Sequence, residues 1–293
     1  MAPLRKNRPD PENGDPVTQE LVTLAAGMED WDAEAPDGAP ARTADATREA
    51  EAAREARGRR RLAALTRSLA GGVQRGGRLA TRVTVLGTRQ LTDRLLDAAP
   101  RIPVRDLAAL RAQHPAAAGP EELADRLVAG ARRSSAAVGA GIGAAAVVPT
   151  PPAMPVEIAA EVLATAAVEI KLIAELHEVY GRRAAGTSTQ RTAAYLSAWA
   201  NRRGIDSVTL IKPGSILALG AGSQIRHQLG KRLTRSSLRK LPSLTPFLVG
   251  AAIGANLNRR DTGRLAEKVR EDLRARGPAD PAYWSAAVTG TDD

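Results

Sequence analysis

The chain has no cysteine, which excludes disulfides, thiolate nucleophiles and cysteine-based zinc sites. Aromatic residues make up only 2% of it, although 43% of its residues are hydrophobic. Any core must therefore be built from Ala, Leu, Val and Ile. That suits closely packed helices better than a β-sandwich, whose strands favour aromatic and β-branched side chains. Histidine is scarce, and His114, His177 and His227 show no metal-ligand spacing. Lysine occurs six times among 42 basic residues, so arginine dominates. Such an arginine excess beside abundant Ala and Gly has the cast of GC-rich coding, and part of the net charge of +10 is compositional. The N-terminal MAPLRKNRPDPENGDP has basic residues with no apolar stretch after them, so no secretory signal is expected and the protein is read as cytoplasmic.

What is present is an uneven charge distribution. Residues 1–57 hold 7 basic and 13 acidic side chains, a net of −6; residues 58–293 hold 35 and 19, a net of +16. The first segment is rich in Pro, Gly, Asp and Glu. Apart from the apolar patch LVTLAAGMEDW (21–31), it has little surface to bury against its chain entropy. The expected organisation is a disordered acidic N-terminal arm (1–57), a basic helical domain (58–276) and a flexible C-terminal tail (277–293). The expected fold is all-α, a compact multi-helix domain of about six to nine helices, read from the recurrence of apolar residues at helical spacing. SVTLIK (207–212) is the one strand-like hexamer, too isolated to imply a sheet.

The stretch VGAGIGAAAVVPTPPAMPVE (138–157) admits three readings. As a phosphate loop it fails, because it follows a helical segment rather than a strand and lacks a Lys-Ser/Thr ending. As a membrane span it is short. Residues 134–156 are uncharged, but Pro149 limits the helix to about 15 residues, where a bilayer needs about 20. The third reading is close helix packing through Gly139 and Gly143, four residues apart on one face. The same spacing recurs at Gly72 and Gly76 and at Gly250 and Gly254. The helices near 134–148 and 246–258 are therefore expected to pack tightly against a neighbour, each other included.

Taken in order, a glycine-zipper helix runs into a Pro-rich turn (Pro149 to Pro155) and a carboxylate (Glu157). A long apolar helix then ends in Tyr180–Gly181, and PFLVGAAIGANLNRRDT (246–262) follows some 60 residues later. This order resembles the EcsC-like family of bacterial proteins, over about residues 60–275. The resemblance implies an all-helical, membrane-associated protein of poorly defined molecular role, with no catalytic residue to carry over. The matching positions are Gly139, Gly143, Pro149, Pro155, Glu157, Tyr180, Gly181, Gly250, Gly254, Asn258 and Thr262. One departure is Arg182–Arg183, where the family often has an acidic residue.

Three other constellations stand out. Glu157, Glu161, Thr165 and Glu169 step by four along one helix side. They suit a solvated or ion-paired stripe, a polar network against Arg from another helix, or a metal or acid–base site. His177 near a helix end suits interaction with the C-terminal dipole. Ser134–Ser135 after Arg132–Arg133 suit capping of the following helix, or a nucleophile.

Between Asp206 and Asp261 there is no acidic residue at all. Within that gap, SQIRHQLGKRLTRSSLRKL (223–241) reads as a basic amphipathic helix carrying Arg226, Lys231, Arg232, Arg235, Arg239 and Lys240. Such a helix suits docking on anionic lipid. The functional expectation is a non-enzymatic accessory protein, without cofactor or metal, peripheral to the inner face of the membrane. The Gly-x-x-x-Gly helices would serve the core, a protein partner or self-association. Nucleic acid is an alternative partner, disfavoured by the lack of stacking aromatics in the basic region. A metal-dependent hydrolase using the Glu stripe is a further alternative.

Overall fold

The computed structural model describes residues 15–32, 44–75, 94–145, 154–203 and 248–289. Of these, 83% are helical and none lies in a strand. The elements are α1 (Pro16–Ala26), α2 (Glu29–Asp32), α3 (Ala44–Arg75), a 3-10 turn (Ala99–Arg101), α4 (Leu107–Gln113), α5 (Pro120–Ala145), α6 (Met154–Val179), α7 (Ser188–Arg202), α8 (Leu248–Arg276) and α9 (Tyr283–Thr289).

Helix α6 is the axis of the fold. Every residue from 160 to 176 is buried, charged ones included. A helix apolar around most of its circumference has to be surrounded, and α6 contacts α1, α3, α4, α5, α7 and α8. Its end is sequence-encoded. Gly181 takes φ +60°, the left-handed conformation that glycine adopts without a Cβ penalty. The Arg182 N–H then donates to His177 O and the Gly181 N–H to Glu178 O, the paired bonds of a Schellman motif. Arg182 turns its guanidinium to the other long helix and donates to Arg276 O (2.6 Å) and Gly277 O (2.5 Å), carbonyls at the C-terminus of α8. Arg182 thus has a helix-capping role.

Helices α5 and α8 make the most extensive helix pair of the fold. They meet at Gly139 and Gly254. A Cβ on Gly139 would lie 2.7 Å from Gly254 O and 2.9 Å from Asn258 Nδ2; one on Gly254 would lie 3.2 Å from Gly139 O. The backbones approach so closely that there is no room for a methyl group at the first position. Gly143 and Gly250 lie within these helices. Pro149, Gly72–Gly76 as a pair, the 207–212 hexamer and the whole 223–241 segment lie outside the described residues, wholly or in part.

Several expectations are corrected. Within the segment 1–57, expected to be a disordered arm, residues 16–26, 29–32 and 44 onward form helices. Asp15 caps α1 by accepting from Val17 N (3.2 Å), with Pro16 in its first turn. Val17, Leu21, Leu24, Ala25 and Met28 then recur on one face and enter the main core. The patch is short, but it packs against α3 and α6 instead of standing alone. The boundary at 57/58 does not exist either, because α3 runs through it unbroken. Residues 1–14 and 33–43 lie outside the described residues.

The C-terminal tail is likewise not free at 283–289. Tyr283 packs on Gly181, where a Cβ would sit 2.6 Å from its ring, and its hydroxyl donates to Val179 O (3.0 Å). Arg111 lies 4.6 Å over the Trp284 ring and donates to Trp284 O. Ser134 and Ser135 do not cap a helix, since α5 continues through them. The stretches 246–258 and 262–276 form the single helix α8 from Leu248 onward, as NRRDT holds no helix breaker.

Candidate functional site

The charged and polar residues of α6 sort into two buried clusters. Toward its C-terminal half, Glu175 and Lys171 are both fully buried, one turn apart, with Lys171 Nζ 2.7 Å from Glu175 Oε1. The other two ammonium donors reach Glu29 Oε1 (2.9 Å) and Pro103 O, so all three are used. Arg105, in the loop before α4, completes the cluster. Its Nε and Nη2 donate to Glu175 (2.9 and 2.8 Å), Nη1 and Nη2 to Asp32 (3.1 and 2.7 Å), and Nη1 also to Gln113 (2.6 Å). All five guanidinium donors have acceptors, which is the condition for keeping such a charge out of water.

Burial pushes the Asp32 carboxyl up to about 6, against the opposing pull of Arg105. His114 is 1% exposed, and neither ring nitrogen has a hydrogen-bond partner among the described residues. Its Nε2 stands 4.0 Å from Asp32 Oδ1. Burial, then the nearby Arg105 charge, lowers its pKa.

The second cluster lies one and a half turns earlier on α6 and faces α5, α7 and α8. Glu169 is fully buried and accepts from Trp199 Nε1 (2.9 Å), Thr262 Oγ1 (3.0 Å) and Arg203, whose guanidinium is partly exposed. Thr262 Oγ1 is also 3.0 Å from Ser135 Oγ. Its single proton goes to the carboxylate, so Ser135 is the donor to Thr262. Glu161 accepts from Asn258 Nδ2 (2.8 Å), which also reaches Ser135 O (3.4 Å). The close approach at Gly139 and Gly254 brings Asn258 and Thr262 down onto Ser135 and α6.

Compared with protein-family models, curated proteins and solved structures, the chain shows no match to any of them.

Of the sequence-predicted residues, the structure thus joins Gly139, Gly254, Asn258 and Thr262 with Glu161 and Glu169. It places Tyr180 and Gly181 at the far end of α6, where Tyr180 OH accepts from Arg270 Nε (3.1 Å). Arg270 also pairs with Glu121 and Asp125 across to α5. Hydrogen bonds from Arg274, and then from Arg270, bring the Glu121 carboxyl down to about 2. The side chains of Pro155 and Glu157 lie outside the described residues, as do Arg226, Lys231, Arg232, Arg235, Arg239 and Lys240.

The Glu161–Thr165–Glu169 stripe is not solvated, because it faces the core. Glu161 and Glu169 form polar networks with neighbouring helices, Arg203 being the guanidinium partner of Glu169, while the buried Thr165 hydroxyl has no hydrogen-bond partner among the described residues. The stripe's carboxylate oxygens are committed to internal donors, and among the described residues no group of three His, Asp or Glu side chains gathers to hold a metal. His177 Nδ1–H donates to Ile173 O (2.7 Å) one turn back on its own helix, and its ring leans on Tyr195. Ser134 and Ser135 are buried in mid-helix, Ser135 as a network member.

Sequence reasoning missed Asp32, Arg105, His114, Glu175, Trp199 and Arg203. The one local signal was Lys171 and Glu175 at i, i+4 within an otherwise apolar helix, a pair that burial forces to find partners.

Proposed function

We propose that this chain is a non-enzymatic, EcsC-like accessory protein that docks on the anionic cytoplasmic face of a membrane. The observation behind the proposal is the acid-free interval between Asp206 and Asp261, with Arg226, Lys231, Arg232, Arg235, Arg239 and Lys240 on one amphipathic segment. Each basic side chain near an anionic surface is worth about 1 kcal/mol, so six suffice for peripheral binding.

Two features of the body support the reading. No helix among the described residues is long and apolar enough to cross a membrane, which favours a peripheral mode. The carboxylates of α6 are spent on internal hydrogen bonds, which favours a structural role for them over acid–base chemistry. The acidic N-terminal segment is tied into the body in its described part. Glu29 and Asp32 are engaged with Lys171 and Arg105, so its removal is expected to unfold the protein rather than tighten lipid binding.

The test is co-sedimentation of the full chain with vesicles of phosphatidylglycerol against vesicles of phosphatidylcholine, over a salt series. Salt-sensitive binding to the anionic vesicles, lost on neutralising Arg232, Arg235 and Arg239, is the expected result. Retention on DNA without binding to either vesicle would replace this reading with the nucleic-acid one.

A further inference from the structure

A surface cleft between α2, α3 and α5 belongs to neither buried cluster. Asp30, Trp31, Arg54, Arg57, Arg61 and Ser134 line it. Arg54, Arg57 and Arg61 stand at i, i+3 and i+7, one face of α3. From the α5 side, Arg133 Nη1 donates to Trp31 O (3.1 Å) and fixes the Trp31 backbone. Gly27 makes room for the Arg61 head, since a Cβ there would sit 2.0 Å from Nη1.

Among the described residues that line the cleft, one carboxylate stands against these three cations, and it does not satisfy them. Asp30 Oδ2 is 3.8 Å from Arg57 Nε and 3.9 Å from Arg61 Nη2, beyond hydrogen-bond range. Arg61 spends one long donor on Thr23 O (3.4 Å). Ser134, 6% exposed, is part of the cleft wall. The cleft therefore offers under-used guanidinium forks and one weakly held carboxylate in the place an anion would take.

We infer that this cleft binds a phosphate-class anion, with Arg54, Arg57 and Arg61 as its ligands and Asp30 as an internal competitor. Guanidinium forks match phosphate oxygens bidentately, which a single carboxylate at 3.8 Å does not exploit. The phosphate belongs either to a free phosphorylated solute or to a lipid headgroup. The inference is independent of the docking segment at 223–241 and stands or falls on its own.

The test reads Trp31 emission in the full chain, with Trp31→Phe as the blank that removes the signal of Trp199 and Trp284. Inorganic pyrophosphate is titrated first, then phosphatidylglycerol vesicles, with phosphatidylcholine vesicles as control. A saturable change in Trp31 emission is expected with at least one phosphate source. A response to pyrophosphate identifies a soluble ligand, and a response to the anionic vesicles alone identifies a headgroup. The paired variant Arg54→Gln/Arg57→Gln should weaken binding by tenfold or more, on the order of one charge-assisted hydrogen bond lost. Asp30→Asn should tighten it several-fold, an opposite sign that partial unfolding does not produce. No Trp31 response to either probe, or equal affinity in all variants, overturns the site. Loss of vesicle binding on neutralising Arg232, Arg235 and Arg239, with the pyrophosphate response intact, separates this cleft from the docking segment.

Discussion

Glu169 and Glu175 sit six residues apart on the same buried helix, and the protein neutralises them in different ways. Glu169 is held by an indole N–H, a threonine hydroxyl and one arginine, Arg203, that keeps part of its guanidinium in water. Glu175 is held by two cations, Arg105 and Lys171, both buried and both shared with carboxylates from the N-terminal segment. The first arrangement takes little charge out of water and links α6 to α7 and α8. The second removes four or five charges from water at once, and is tolerable only if every member is present. It is therefore the device that makes residues 29–32 an obligatory part of the body.

The comparison is broken most severely at Arg105. Arg105→Met leaves Asp32 and Glu175 buried with one lysine between them, and should cost about 3–5 kcal/mol in urea unfolding. Arg105→Lys should rescue little of it, because an ammonium cannot replace five donors in a fixed fork.

The next effect is the pH dependence of the same cluster. Asp32 titrates near 6 in the folded protein, above its ordinary value of 3.8. Its contribution to stability is thus fully present below that ordinary value and is lost as pH rises through about 6. The stability difference between the native protein and Asp32→Asn should shrink between pH 4 and 7, by at most about 3 kcal/mol. His114 works in the opposite sense, since its lowered pKa favours the fold at higher pH. A difference that is flat with pH would remove Asp32 from the account.

On the Glu169 side the changes are smaller. Gly139→Ala forces a methyl against Gly254 O and Asn258, and should lower stability by about 1–3 kcal/mol in thermal unfolding. Gly254→Ala should cost less, because its nearest contact is looser. Glu169→Gln keeps an acceptor for Trp199 or Thr262 but not both, since they bond different oxygens, and loses the ionic bond to Arg203, for about 2 kcal/mol by denaturant midpoint. If it costs as much as Arg105→Met, the contrast between the two clusters is wrong. At the low end, Arg264→Gln, in a pair with Asp261 whose arginine is 75% exposed, should change stability by less than about 0.5 kcal/mol.

The helical class was legible from what the chain lacks, since few aromatics and no cysteines leave little but Ala- and Leu-rich helices. Gly139 and Gly254 were legible as packing positions, because the loss of helix propensity at a mid-helix glycine needs an offsetting close contact. The start of α1 was also written in the sequence, as Asp15–Pro16 before an apolar face, but a Pro- and acid-rich surround hid it. The partners of the buried charges were not legible. Arg105 looks like any of the many arginines, and Asp32 like one more acid in an acidic segment.

The sequence by itself determined the secondary structure of the long helices, their small-residue contacts and the sign of charge along the chain, because these depend on neighbours within a turn or two. Only the tertiary structure decided which charges are buried, that Arg105 joins Asp32 to Glu175 across some 70 residues, and that the acidic segment belongs to the core. The reason is physical. Hydrophobic periodicity is a local property of the backbone repeat, whereas an ion's partner is whichever opposite charge the packing brings within reach once water has been removed.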